Sequence, residues 1–162
     1  MKMNLLKIIT AFTVALIFAP VAYSQTDTIT KLVLVQGAPI HVEGGSAPDA
    51  PGHQLFAEAN LTKAGKPFGH LVAYILTADT TNEPNKTNES RVRYLSFELP
   101  GGEIVASGTD LYQVAHSFLK TKSLKASIPI LGGTGKYLGA RGELRTILNN
   151  DGTYTQTLLI LK

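Results

Sequence analysis

Ile128-Pro129-Ile130-Leu131-Gly132-Gly133-Thr134-Gly135-Lys136-Tyr137-Leu138-Gly139-Ala140-Arg141-Gly142 describes a corner. The three glycines around Thr134 allow a sharp bend and close backbone approach, and Pro129 inside an apolar run marks an edge or a bulge. Tyr137 is placed to cover the bend, with Gly139 and Gly142 thinning the wall where strands cross. A phosphate loop is excluded: it needs Ser or Thr after Gly-Lys, and Gly135-Lys136 is followed by Tyr137, with Ile130 where the first glycine belongs. The dinucleotide fingerprint fails as well, because after Gly133 and Gly135 its next glycine falls on Leu138 and no helical pattern follows.

Outward from this corner, runs rich in Val, Ile, Thr, Tyr and Leu alternate with period two and are separated by Gly, Pro, Asn and Asp. They predict strands at Thr28 to Gln36, Gln54 to Thr62, Gly69 to Ala78, Arg91 to Leu99, Glu103 to Thr109, Leu124 to Leu131, Ala140 to Leu148 and Thr153 to Leu161. Pro100-Gly101-Gly102 and Asn149-Asn150-Asp151-Gly152 are tight-turn sequences that join antiparallel neighbours. Asp79 to Ser90 has no apolar residue and predicts a long exposed hairpin loop. Gly37 to Gly52 predicts a crossing of an open end with brief structure at Ile40 to Val42, and Tyr112 to Leu119 a turn or two of helix. Eight such strands form a sandwich or a barrel. Closure removes the unpaired edges, so the expected fold is all-β, an eight-stranded antiparallel barrel. A barrel of this size has an interior just wide enough for side chains or one small ligand.

The 162 residues are 44% hydrophobic and 17% charged, which suits one globular domain and argues against disorder. Lys2 and Lys7 precede an apolar run from Ile8 to Ala19, too short to cross roughly 30 Å of hydrocarbon, and Pro20 is followed by Ala22-Tyr23-Ser24. Residues 1–24 are therefore expected to be a cleaved signal peptide, with 25–162 a secreted or periplasmic domain not held in a membrane. Without those two lysines the formal charge falls from +3 to +1, and no basic run remains to hold nucleic acid. The chain has no cysteine, which excludes disulfides, thiol nucleophiles and thiolate metal sites. His41, His53, His70 and His116 lack metal-ligand spacing, so neither a metal nor another cofactor is expected. Ser117-Phe118-Leu119-Lys120 matches S-x-x-K but lacks its companion motifs, and no G-x-S-x-G elbow occurs. Arg141, Glu143 and Arg145 alternate as a solvated, mutually paired stripe.

Arg93-Tyr94-Leu95-Ser96-Phe97, Gly101-Gly102-Glu103-Ile104-Val105-Ala106-Ser107-Gly108 and the corner Gly132 to Gly142 together resemble the allene oxide cyclase barrel family and its relatives, the plant dirigent proteins. The resemblance extends from Gln54 to Lys162. It implies an eight-stranded antiparallel barrel, often a homotrimer, with a homodimer as the other arrangement considered. In the cyclases the lumen takes an oxylipin, and in the dirigents a phenolic radical or quinone methide. Both act chiefly by holding a reactive substrate in one conformation, without a cofactor.

The resemblance also implies site residues. Asn60 matches a polar lumen residue that orders a water in the cyclases, and alternation points Phe56 and Glu58 the same way. Asp110 stands in the place of a lumen tyrosine, and Glu58 and Asp110 could serve as the buried acids of the dirigents. Phe97 completes the expected ligand-binding set. The plainer alternative makes both acids surface carboxylates near strand ends. The cyclases' first-strand acid has no counterpart in Lys31-Leu32-Val33-Leu34-Val35-Gln36. Two readings follow: a barrel that binds a small hydrophobic molecule and steers its cyclisation or coupling, and a non-catalytic carrier or interaction barrel that recognises partners through its loops.

Overall fold

The structure is a computed structural model that describes residues 28–47, 50–78, 88–113 and 125–161. The expected signal peptide, most of the Asp79 to Ser90 loop and most of the Tyr112 to Leu119 fragment lie outside the described residues; Tyr112 itself continues a strand.

The strands are β1 (Ile29–Gln36), β2 (Ile40–Gly45), β3 (His53–Lys63), β4 (Lys66–Thr77), β5 (Asn88–Leu99), β6 (Gly102–Gln113), β7 (Lys125–Gly133), β8 (Arg141–Leu148) and β9 (Tyr154–Leu161). They pair antiparallel in the order β1-β9-β8-β7-β6-β5-β4-β3-β2. A further pairing of β1 with β3, Val35 opposite Thr62 and Gln36 opposite Leu61, closes eight of them into a barrel. The amide of Gly37 extends the seam by donating to the Asn60 carbonyl at 3.0 Å. All eight expected strands are present. The addition is β2, longer than the brief structure expected near Ile40, which pairs with the His53 to Glu58 half of β3 that β1 leaves open.

Alternation directs one residue in two inward. Leu34, Phe97, Ile104, Leu144 and Leu158 are wholly buried, and Leu61, Ile128 and Ile160 nearly so. The corner closes over this core. Tyr137, in a single 3₁₀ turn at Gly135–Tyr137, is buried there beside Ala140. Leu131 falls out of register between the pairs Val105–Gly132 and Ala106–Ile130, and its side chain is exposed. This is the bulge that Pro129 foreshadowed, and the β6–β7 pairing ends beside it.

Two glycines of the corner differ in what they do. Gly142 has φ +134°, and a Cβ placed there would lie 2.0 Å from the Leu159 carbonyl oxygen on β9. Gly139 has φ +78° but no atom within 4 Å of such a Cβ. Gly142→Ala should therefore cost about 3 kcal/mol or more, backbone strain plus collision, while Gly139→Ala should cost about 1 kcal/mol, the left-handed conformation alone. Denaturant unfolding of the two variants checks this, and equal losses would refute the wall-thinning role of Gly142.

On the outer face of β8, Glu143 bonds the Ser127 hydroxyl and takes a bidentate pair from Arg145, Nε at 3.0 Å and Nη2 at 2.9 Å. Arg145 and then Ser127 hold the Glu143 carboxyl down from an ordinary 4.5 to about 2. A depressed carboxylate stabilises the fold above its unfolded value and loses that contribution as pH falls towards the folded value. Between pH 4.5 and 2 the wild type should thus lose more melting temperature than Glu143→Gln does, by a small margin because the pair is exposed. Parallel acid profiles would remove the Glu143 contribution.

Candidate functional site

The inner face changes character along the bore. On β1 the inward positions run Leu32, Leu34, Gln36, and on β9 they run from Ile160 and Leu158 to Gln156 and Tyr154. On β8 Leu144 is followed by Thr146, and on β5 Phe97 and Leu95 give way to Arg93. Each of these strands carries aliphatic or aromatic groups at one level and hydrogen-bonding groups at the next. The closed sheet gathers the polar ends into one belt.

Within the belt the Thr146 hydroxyl donates to Gln156 Oε1 at 2.7 Å, and Gln156 Nε2 donates to Gln36 Oε1 at 2.7 Å. All three residues are buried, so the relay satisfies groups that water does not reach. On the other wall, Arg93 Nη2 bonds Asp110 Oδ2. Their side chains are only 11% and 15% exposed, which makes this an interior ion pair. Burial lowers the Arg93 pKa from its usual value, opposed by Asp110 and by electrostatic interaction with Tyr154. Tyr154 belongs to β9 and Arg93 to β5, so the belt spans the bore from one wall to the other. Arg93 Nε is buried and meets no hydrogen-bond acceptor among the described residues.

The surroundings of Arg93 are small or apolar. Ile75 and Gly108 flank it in register, and Ala73, Leu95 and Ala106 form the next row inward. Ala57 and Ala126 are buried on β3 and β7. A half-open, mainly apolar depression at the β7–β8 rim is lined by Ala126, Ser127, Arg145, Thr146 and Ile147, and Thr146 joins it to the belt. Among the described residues no group of His, Asp and Glu converges as metal ligands.

The expected site residues divide between the two faces of the wall. Asp110 lies in the belt, paired with Arg93, and is not a surface carboxylate. Phe97 points inward but is wholly buried in the apolar core, opposite Leu71 and Ile104. Phe56, Glu58 and Asn60 point outward, which corrects their placement in the lumen. Phe56 is half exposed and tilts against Tyr74, ring centroids 5.1 Å apart. Glu58 is exposed, 3.6 Å from His70 Nε2, and Asn60 is opposite His70 in register. The inward phase of β3 is instead His53, Leu55, Ala57, Ala59 and Leu61. Two polar residues out of three placed the Phe56 phase outside, against the pull of one aromatic ring. Arg93, Gln36, Thr146, Tyr154 and Gln156 were not singled out. Their signal was a polar residue sharing the inward phase of a run of Leu, Ile or Phe.

No protein-family model matches the chain, and no curated protein sequence does. Solved structures do share the fold. A structure described as pyocyanin demethylase aligns over 82% of this chain and 100% of its own, with a TM-score of 0.61 and 22% identity. The Diels Alderase AbmU from Streptomyces koyangensis aligns with a TM-score of 0.59 and 16% identity. A structure described as a nonspecific heme-binding cyclase that catalyses [4 + 2] cycloaddition during neoabyssomicin biosynthesis gives the same values. Both cover 82% of this chain, which spans 63% of their length. At these identities the likeness is one of fold: the chain is a small antiparallel barrel of a kind also found in proteins described as a cyclase and a demethylase.

Proposed function

We propose that this chain is an exported barrel that binds a small, largely apolar molecule of oxylipin or phenolic type in its lumen, against the belt of Arg93, Asp110, Tyr154, Gln36, Gln156 and Thr146, and steers its conformation towards cyclisation or coupling. The observation that carries this reading is the interior Arg93–Asp110 pair with an unsatisfied donor. Buried ion pairs stabilise a fold little, because desolvation offsets their attraction, and a well-packed apolar replacement often serves stability as well. Polar groups kept in a bore against that cost point to recognition. The barrel's own contribution would be to hold one conformer of a flexible substrate, which needs few reacting side chains. The likeness to structures described as cyclases supports the same reading by analogy of fold.

Native mass spectrometry of protein purified from its own host provides the test. A co-purifying mass matching a lipid or phenolic is expected, and it should disappear in Arg93→Met/Asp110→Leu, which removes both charges together and so keeps the fold. No bound species, together with no thermal shift across a panel of oxylipins and phenolics, would overturn the proposal.

A second reading, a non-catalytic interaction barrel, draws on the outer face. Val42, Phe56, Tyr74 and Tyr94 lie side by side in register across β2 to β5, and Ile40, Val72 and Val92 are exposed around them. A contiguous apolar row of this kind exceeds the scatter of single exposed residues. We assign it to self-association, as a homodimer or homotrimer. Phe56→Glu/Tyr94→Glu should convert the assembly to monomer by light scattering at unchanged melting behaviour, and a wild type already monomeric at micromolar concentration would dismiss it.

A further inference from the structure

Resting on the lumen-binding reading, we infer that the belt recognises one neutral carbonyl oxygen of the ligand, a ketone, ester, amide or quinone, and excludes a carboxylate from the Arg93 position, so that the acid end of an oxylipin would lie away from it. The argument starts from the shape of the guanidinium, whose donors are arranged as a planar fork. Arg93 Nη2 is committed to Asp110 Oδ2, while the neighbouring Nε–H is buried and unsatisfied. A carboxylate grips arginine best through two adjacent donors at once. Here the donor adjacent to Nε is already shared with an acid. A second carboxylate would lie against Asp110 with its charge uncompensated, since Arg93 and Asp110 neutralise each other, and little solvent is present to screen it. A carbonyl oxygen needs one donor, brings no net charge and satisfies the orphan N–H.

The neighbouring groups fit such a ligand. The relay of Thr146, Gln156 and Gln36 is closed on itself at Gln156, whose Oε1 accepts from Thr146 and whose Nε2 donates to Gln36. Of the belt's side chains, it is Arg93 that carries a fully buried atom without a partner among the described residues. Around it the wall is apolar: Ile75 and Gly108 lie on either side in register, with Ala73, Leu95 and Ala106 beyond and Ile128 packed on Gly108. A ring or chain bearing the carbonyl would rest on this wall with its oxygen directed to Nε. Asp110 then acts as a positioning residue that holds the guanidinium plane.

Three probes of one size separate the possibilities: acetophenone, benzoate and ethylbenzene, titrated into the full chain with ligand-observed NMR. Acetophenone is expected to bind roughly tenfold more tightly than either of the others, the difference made by one hydrogen bond to a charged donor. In Arg93→Met/Asp110→Leu, acetophenone and ethylbenzene should become equal. Glu58→Gln, on the outer face of β3, serves as the control and should leave the preference for the ketone in place. Equal binding of acetophenone and ethylbenzene to the wild type would overturn carbonyl recognition while leaving an apolar lumen standing, and tighter binding of benzoate would overturn the neutral-ligand rule. Failure of all three probes to bind would count against the lumen-binding reading itself.

Discussion

The seam between β1 and β3 is the constraint on which the rest depends. Two register pairs and the Gly37 amide join the ends of a sheet that would otherwise be an open ribbon. Closure converts the inner faces of eight strands into a single shared volume, and a polar group on any inner face must then find its partner across that volume or remain unpaired. The Gln36–Gln156–Thr146 relay and the Arg93–Asp110 pair are consequences of this requirement. So is the position of Gln36, which sits at the seam itself, opposite Leu61 on one side and Tyr154 on the other.

The division of the bore into an apolar core and a polar belt explains how a small barrel without cysteine keeps buried polar groups and a stable core together. Phe97, Ile104, Leu144, Leu158 and Leu34 fill one region to exclusion of solvent. Fully burying a large apolar side chain contributes about 1.5–3 kcal/mol, so a core of this kind tolerates a belt that contributes little. The corner supports the division from outside, since Tyr137 and Ala140 cover the packed end while Gly142 lets β8 and β9 approach at the distance their pairing needs.

Much of the barrel was legible because its signals are local. Alternation locates strands, and Gly-Gly or Asn-Asp-Gly locates hairpins, so eight strands followed from the residues alone. The ninth did not. Ile40 to Gly45 ends in two glycines, and its side chains are mostly exposed, so no inward phase marks it; its existence depends on the free edge of β3. The site was legible only in part for a related reason. Period two defines two faces without saying which is inside, and on β3 the aromatic Phe56 favoured the wrong one. Asp110 was found, but its partner Arg93 is 17 residues away, and only the β5–β6 register brings them together.

The recognition reading of the Arg93–Asp110 pair rests on the unsatisfied Arg93 Nε–H. An arginine retained only to order a core would be expected to spend all its donors on the protein, because each unmade hydrogen bond in the interior costs about 1–3 kcal/mol. Here Asp110 takes Nη2, and among the described residues no group takes Nε. On the same wall Gly108 leaves room for Ile128, whose Cγ2 would lie 2.9 Å from a Cβ placed there. A donor left open beside an acid that fixes its plane supports the reading in which a ligand supplies the acceptor. Such an acceptor would have to be compatible with a site whose two charges already cancel.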